Sequence, residues 1–177
     1  MSSVKKKPAA NLRKRDGTAR ASSKNAKMLE VLKLFRILVK SIRGHYQVVE
    51  NRSGVSGAQL WALSHVACNP GTKVGELARA LAIHQSTASN LVGRLESLGL
   101  IARNRLRHDQ RTVELTLTPK GKSALTRAPR PLIGVLQQAL LDLPEASLDA
   151  LRQHVGVLIG TMKTKDTRSR STPLSEM

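Results

Sequence analysis

Cysteine is nearly absent from this chain of 177 residues, which contains a single one, Cys68. A single cysteine excludes a disulfide bond within the chain and any zinc site built from several cysteines. The five histidines show no close metal-ligand pairing, so we expect no metal site. The sequence also lacks a phosphate-binding glycine loop and a nucleophile motif. We therefore expect a protein that is not an enzyme and that carries no cofactor.

Long apolar runs are also lacking. No unbroken apolar stretch reaches the roughly 20 residues that a membrane-spanning helix needs. The basic N-terminus is not followed by the apolar core of a signal peptide. These absences predict a cytoplasmic protein without a membrane partner.

Acidic residues are scarce, since 12 Asp and Glu accompany 30 Lys and Arg and give a formal net charge of +18. A basic excess of this size suits a polyanionic partner, with nucleic acid as the first candidate and an anionic membrane as the second.

The positive charge is unevenly distributed along the chain. Residues 1–27 carry nine Lys and Arg against one Asp, and this composition predicts a disordered basic arm over residues 1–26. We also predict a disordered tail over residues 164–177. The remaining residues, 27–163, are long enough for one domain. Within that domain, residues 79–130 hold ten Lys and Arg against three acidic residues.

One segment of the domain, HQSTASNLVGRLESLGLIAR (residues 84–103), has a clear helical period. Its apolar residues recur at steps of three and four, which predicts an amphipathic helix that ends at Gly99. The other face carries short hydrogen-bonding side chains and one arginine: Gln85, Ser86, Thr87, Ser89, Asn90 and Arg94. Because Ser, Thr and Asn are weaker helix formers than Glu or Lys, this face indicates a binding function.

The neighbouring segments predict a winged helix-turn-helix. The pattern VGELARALAI (74–83) predicts a short preceding helix, so two helices joined by a tight turn cover about 74–98. After Gly99 the period changes to two, and residues 100–118 predict two strands joined by the polar, basic tip LRHDQR. The predicted fold class is mainly α with a small β-hairpin wing and flanking dimerisation helices.

The flanking helices carry apolar stripes that one small domain cannot cover. One helix is predicted from Lys27 to about Glu50, and a last helix begins at Pro144. Between them, Thr118-Pro119 opens a helix that Pro129 and Pro131 interrupt. The stripes predict a homodimer. The dimer contacts are expected from Val31, Phe35, Leu38, Leu151, Val155 and Leu158.

The chemistry of both elements suits double-stranded DNA. Asn and Gln can bond adenine edges in the major groove, and Arg can bond guanine. A recognition helix contacts bases mainly through its N-terminal residues, and arginines on a narrow hairpin suit the minor groove. The expected wing residues are Arg103, Arg105, Arg107, Asp109 and Arg111, where the acid orients an arginine. The alternative is a solvated polar helix face, with Ser86 as its N-cap, beside a solvated hairpin.

Residues from about 28 to 162 resemble the MarR family of transcriptional regulators. The resemblance rests on VGELARALAIHQSTASNLVGRLESLGLIAR (74–103), on HDQRTVELTLTPKG (108–121) and on the Leu-Pro pair at 143–144. It implies a homodimer joined by its first and last helices, with two recognition helices in successive major grooves of a pseudo-palindromic operator. It also implies a possible small-molecule effector that releases the DNA. The two prolines and the long basic N-terminus depart from the family pattern.

These observations together predict a sequence-specific DNA-binding regulator of transcription, a homodimeric repressor released by a small-molecule effector. Two alternatives stay open. The first is an architectural protein that binds DNA with low specificity, and the second is a thiol-switched redox sensor that uses Cys68.

Overall fold

Helix α1 runs from Ala9 to Ser53 in the computed structural model, which describes residues 9–106 and 109–176. The chain is divided into two compact units, and the boundary between them falls after Lys40, inside α1. In the first unit, every residue from Ser22 to Lys40 is exposed.

The prediction of a disordered basic arm over 1–26 is corrected, because residues 9–26 are helical. Ala, Leu, Arg and Lys, which are strong helix formers, supply 11 of these 18 residues. No proline separates them from the apolar pattern that begins near Lys27, and extending a helix costs less than nucleating one. Residues 1–8 lie outside the described residues.

The second unit contains the winged helix-turn-helix. Helices α2 (Gly57–Cys68), α3 (Val74–Ala80) and α4 (Gln85–Ser97) are followed by strands β1 (Ile101–Leu106) and β2 (Asp109–Leu117). Helices α5 (Pro119–Arg127), α6 (Val135–Asp142) and α7 (Glu145–Thr161) come next. Two short 3-10 turns, Thr167–Ser171 and Leu174–Glu176, complete the chain. The predicted fold class, mainly α with a β-hairpin wing, is confirmed.

The core of this unit lies among α2, α3, α4 and the base of the wing. The largest side chains with almost no exposure include one or two leucines from each of these elements: Leu60, Leu63, Leu77, Leu95 and Leu115. Each helix of the helix-turn-helix therefore has a buried leucine, which fixes α4 against the rest of the unit.

The wing is an antiparallel pair in which Ile101 lies opposite Leu117, Arg103 opposite Leu115 and Arg105 opposite Val113. Beyond Arg105 the register shifts, so that Leu106 lies opposite Asp109. Thr72, between α2 and α3, adds an isolated bridge to Leu115. The base of the wing is thus bonded to the chain segment that precedes α3.

The end of α4 is joined closely to the start of α5. Gly99 has φ of 69°, and its amide donates to Glu96 O while the Leu100 amide donates to Leu95 O. This is a Schellman ending. Thr118 caps α5 by accepting from the Gly121 amide at 3.1 Å, and its hydroxyl donates to Gly99 O at 2.7 Å.

The segment after α5 is broken as its prolines predict. Helix α5 ends at Arg127 and α6 begins at Val135, and the Arg130–Pro131 peptide bond is cis. Proline lacks the amide hydrogen that a continuous helix needs.

The C-terminal segment differs from the predicted disordered tail. Its 3-10 turns fold back onto α2, where the Ala58 amide donates to Ser175 Oγ at 2.9 Å. Composition alone could not reveal this contact, because it joins residues far apart in the chain.

Gly121→Ala is expected to destabilise the protein. A Cβ atom at this position would overlap the Leu100 carbonyl oxygen, and backbone cannot yield as a flexible side chain can. We expect a loss of about 1–3 kcal/mol in the free energy of unfolding. Urea unfolding followed by circular dichroism, at one fixed protein concentration, measures it.

Gly75→Ala in α3 is the matched control, because a Cβ atom there meets nothing within 4 Å. Alanine should stabilise that helix by about 0.5–1 kcal/mol. Equal losses at both positions would contradict the proposed role of Gly121.

Candidate nucleic-acid interface

Helix α4 buries one face and exposes the other. The buried face consists of Ala88, Leu91, Val92 and Leu95. The predicted DNA-contacting residues lie elsewhere on the helix, and Thr87 among them is half-buried. The others are exposed: Gln85, Ser86, Ser89, Asn90 and Arg94. The short polar side chains are therefore available to a partner.

The start of α4 determines the role of Ser86. The N-cap residue is His84, in extended conformation, and its carbonyl accepts the first helical bond from Ala88 at 3.0 Å. Ser86 is thus the second residue of the helix, so the alternative in which it serves only as the N-cap is wrong. The backbone amides of the first turn have no acceptor within the helix, and they lie beside the exposed Gln85 and Ser86.

The turn between α3 and α4 holds an alanine in a left-handed conformation. Ala82 has φ of 53°, a region that costs an L-residue roughly 1–2 kcal/mol. Its amide donates to Arg79 O at 3.1 Å, and the Ile83 amide donates to Ala78 O at 3.0 Å. These two bonds end α3 and set where α4 begins.

The predicted wing residues lie in different positions. Arg103 and Arg105 are on β1, on the same face of the hairpin as Leu115 and Val113, because directly opposite residues share a face. Asp109 and Arg111 are on β2, and Arg107 lies outside the described residues. Arg105 is exposed.

Arg103 is held by α4. Its Nε lies 3.0 Å from Glu96 Oε2, and the two side chains are 35% and 44% exposed. The same guanidinium passes over Gly93, where a Cβ atom would lie 3.9 Å from it. Arg103 therefore fastens the wing to α4, a role that the sequence analysis did not assign. Glu96 and Gly93 were missed because they act across two elements.

A groove of about 800 Å³ flanks α4 on the side of Thr87, Asn90 and Arg94. Its other walls include Glu50 of α1, Ser56 and Gln59 at the start of α2, and three residues of the C-terminal segment, Thr172, Pro173 and Ser175. We call this space the α4 groove.

A smaller cavity of about 160 Å³ lies on the other side of residues 172–175. Tyr46, Trp61, Ile83 and Gln137 line it, and we call it the Trp61 cavity. The Gln137 carboxamide donates to Tyr46 Oη at 3.4 Å, and its own buried Oε1 has no partner among the described residues. Burial lowers the pKa of the adjacent His45 imidazole, and a hydrogen bond to the Pro131 backbone opposes that shift.

The predicted dimerisation residues are exposed in the single chain. In the first unit, Val31 is 48% exposed and Phe35 and Leu38 are each 40% exposed. In the second unit, every residue of α7 is exposed. Its apolar stripe contains Leu151, Val155 and Leu158.

The remaining candidates lie outside these surfaces. Cys68 is a free, exposed thiol at the end of α2. Within residues 9–106 and 109–176, no three His, Cys, Asp or Glu side chains are grouped as metal ligands. In the same part of the chain, no helix is long and apolar enough to cross a membrane.

These elements define a winged helix-turn-helix protein. Residues 53–112 match the model of the MarR family. The chain is also 34% identical over 70 residues to the HTH-type transcriptional repressor MdtR of Bacillus subtilis (strain 168). That match covers 40% of this chain and 45% of MdtR, so the chain spans less than half the length of this relative.

Solved structures share the fold over a longer range. The crystal structure of a MepR-like protein complexed with pseudoligands covers 73% of this chain and 91% of its own, with 19% identity and a TM-score of 0.52. A MarR family transcription regulator, SP03579, covers 77% and 91%, with 21% identity and a TM-score of 0.52. The segment with the helix-turn-helix and most of the wing therefore matches the MarR family, and the resemblance found in the sequence is confirmed over that segment.

Removing the ion pair between wing and helix should cost little stability. Because Arg103 and Glu96 are both partly exposed, a double-mutant cycle with Arg103→Ala and Glu96→Ala should give a coupling energy below about 1 kcal/mol that falls as salt is added. Urea unfolding at low and high salt measures this energy.

The control cycle uses Arg152 and Asp149 of α7, whose side chains are 80% and 65% exposed. Its coupling should be smaller, because solvent screens that pair more fully. A coupling at Arg103 and Glu96 that equals the control, or that is insensitive to salt, would show that the pair does not fasten the wing.

Proposed function

We propose that this protein is a homodimeric, sequence-specific DNA-binding regulator of transcription, a repressor released by a small-molecule effector. The observation that carries the proposal is the exposed polar face at the start of α4. There Gln85, Ser86, Ser89 and Asn90 lie on a helix whose other face is anchored in the core. Side chains of this kind can bond base edges in the major groove.

Charge supports a nucleic-acid partner. The net charge is +18, and lysines and arginines that neutralise phosphates release counterions and raise affinity for any DNA. Arg94, lower on α4, and Arg105, on the wing, are exposed and would contact phosphate or the edge of a groove. The free amides at the start of α4 are further donors for phosphate.

The wing would lie in the minor groove beside the site read by α4. Arg105 is exposed and would enter that groove, whereas Arg103 is held by Glu96 and would set the angle of the hairpin. Arg107, Asp109 and Arg111 remain candidates for contacts at the tip. A narrow minor groove has a strongly negative potential that attracts arginine, so this type of readout depends on groove width.

Dimerisation would cover the exposed apolar stripes. On α7, Leu151 is 41% exposed, Val155 36% and Leu158 43%, and α1 carries its own stripe at Val31, Phe35 and Leu38. Two copies related by a twofold axis would bury these stripes and present two recognition helices to the two halves of a pseudo-palindrome.

The proposal includes repression and its release by a ligand. Repression is supported by the MdtR relative, which is a repressor by name. An effector would fit the Trp61 cavity, whose apolar walls and polar groups at Tyr46 and Gln137 suit a small, mainly apolar molecule with one polar group. The cavity lies between α1, α2 and the turn before α4, so a ligand there could alter how α4 is held.

Asn90→Ala and Ser86→Ala should each weaken binding to the operator by about 1–3 kcal/mol while changing binding to unrelated DNA little, because only base contacts distinguish sequences. The operator is first defined by selecting sequences from a random library. Fluorescence anisotropy at fixed salt then measures affinity for the selected site and for a scrambled duplex.

Two controls accompany this test. Ser97→Ala removes a hydroxyl from the other end of α4, where Ser97 Oγ donates to Arg94 O, and should leave the specificity ratio unchanged. Arg105→Ala should weaken both duplexes together and reduce the salt dependence. If no selected sequence emerges, or if the α4 variants leave the ratio intact, the low-specificity architectural function is favoured instead.

Leu158→Glu should dissociate the dimer, because a charge without a partner is costly at a buried apolar contact. Val157→Glu is the matched control, since Val157 is 64% exposed and lies on another face of α7. Light scattering at micromolar concentration should show a dimer for the wild type and Val157→Glu and a monomer for Leu158→Glu. A monomeric wild type would overturn the two-groove arrangement.

A further inference from the structure

The C-terminal segment is bonded to the start of α2. Ser175 Oγ accepts a hydrogen bond of 2.9 Å from the Ala58 amide, which is one of the amides that the helix itself leaves without an acceptor. The segment is therefore docked at a position where the helix needs a partner.

A glycine makes this docking possible. A Cβ atom on Gly57 would overlap the Tyr46 ring and would lie 3.1 Å from Ser175 Cβ. The absence of a side chain at Gly57 lets the aromatic ring and the C-terminal segment approach the same point of α2.

The docked segment separates two spaces. Thr172, Pro173 and Ser175 line both the α4 groove and the Trp61 cavity, and Leu174 lines the Trp61 cavity alone. Withdrawal of these residues would join the two spaces into one channel that leads from Trp61 past the start of α2 to Arg94. The segment is thus the wall that closes the Trp61 cavity on this side.

The attachment is light enough to be reversible. Leu174 remains 40% exposed, residues 161–167 before it are exposed, and the segment is rich in Ser, Thr and Arg rather than in large apolar side chains. Segments with few buried apolar contacts open at low free-energy cost.

We propose that residues 170–175 form a strap that undocks from α2 to admit a ligand into the Trp61 cavity. The strap then competes with the ligand for the same space. Only molecules with the strap undocked can bind the ligand, so the apparent affinity is the intrinsic affinity multiplied by the undocked fraction. This proposal rests on the effector cavity of the proposed function and adds the element that regulates access to it.

Trp61 provides the readout, because it lines the cavity and is the sole tryptophan of the chain. In the full-length protein, Leu174→Asp places a charge where the strap meets the cavity, and Ser175→Ala removes the acceptor for the Ala58 amide. Thr164→Asp introduces the same charge at an exposed position that lines neither space, and it is the matched control.

Two measurements are made without DNA, so that their outcome is independent of whether the protein reads a DNA sequence. The first is acrylamide quenching of Trp61, which should rise about twofold in Leu174→Asp and by less in Ser175→Ala, as the docked fraction falls. The second is a titration with benzyl alcohol, a small apolar probe with one hydroxyl. Its affinity, followed by Trp61 emission, should rise by about threefold or more in Leu174→Asp. A synthetic peptide of residues 164–177 should reverse both effects.

Thr164→Asp should match the wild type in both measurements, and far-ultraviolet circular dichroism should be the same for all four proteins. If Leu174→Asp alters the fold, Ser175→Ala decides the test. Quenching and affinity that are unchanged in Leu174→Asp and Ser175→Ala would overturn the proposal, as would equal effects from Thr164→Asp. Protection of Trp61 that increases with protein concentration would also overturn it, because a second copy would then supply the segment.

Discussion

The contact between α5 and the end of α4 is the constraint on which the rest of the winged unit depends. Gly121 lies so close to the Leu100 carbonyl that no side chain fits between them, and Thr118 bonds both the Gly99 carbonyl and the Gly121 amide. Both ends of the wing lie at this point, since β1 begins at Ile101 and β2 ends at Leu117. One junction therefore fixes α4 and both ends of the hairpin in a common frame. Arg103 and Glu96 extend that frame along the wing.

The local features of this frame could be predicted from the sequence. The apolar period of α4 depends only on neighbouring residues, as does its end at Gly99, and both are as expected. The cap at Thr118 is likewise local, because Thr is a favoured N-cap residue and Pro is a favoured first residue of a helix. The helical period places the apolar residues of α4 on one face, which is buried, and the polar residues on the other face, which is exposed.

Features that join distant residues could not be predicted. No periodicity links Ser175 to Ala58, and a segment rich in Ser, Thr and Arg is typical of a tail until a docking surface for it is known. Arginines on a hairpin suit DNA, but the position of Arg103 opposite Leu115 also brings its side chain to Glu96 of α4, which no local pattern indicates. The start of α1 was misjudged for a different reason. Low apolar content is typical of disorder, but the same residues have high helix propensity and adjoin an existing helix.

The left-handed Ala82 has a consequence for how the helix-turn-helix meets a partner. Both backbone bonds of that turn are already made in the free chain, and Leu77 and Leu95 anchor α3 and α4 in one core. The two helices therefore approach a binding site as a single preorganised body, which has little conformational entropy left to lose on association. Such a body would discriminate between binding sites by fit, because it has no loose turn with which to adapt to an imperfect site.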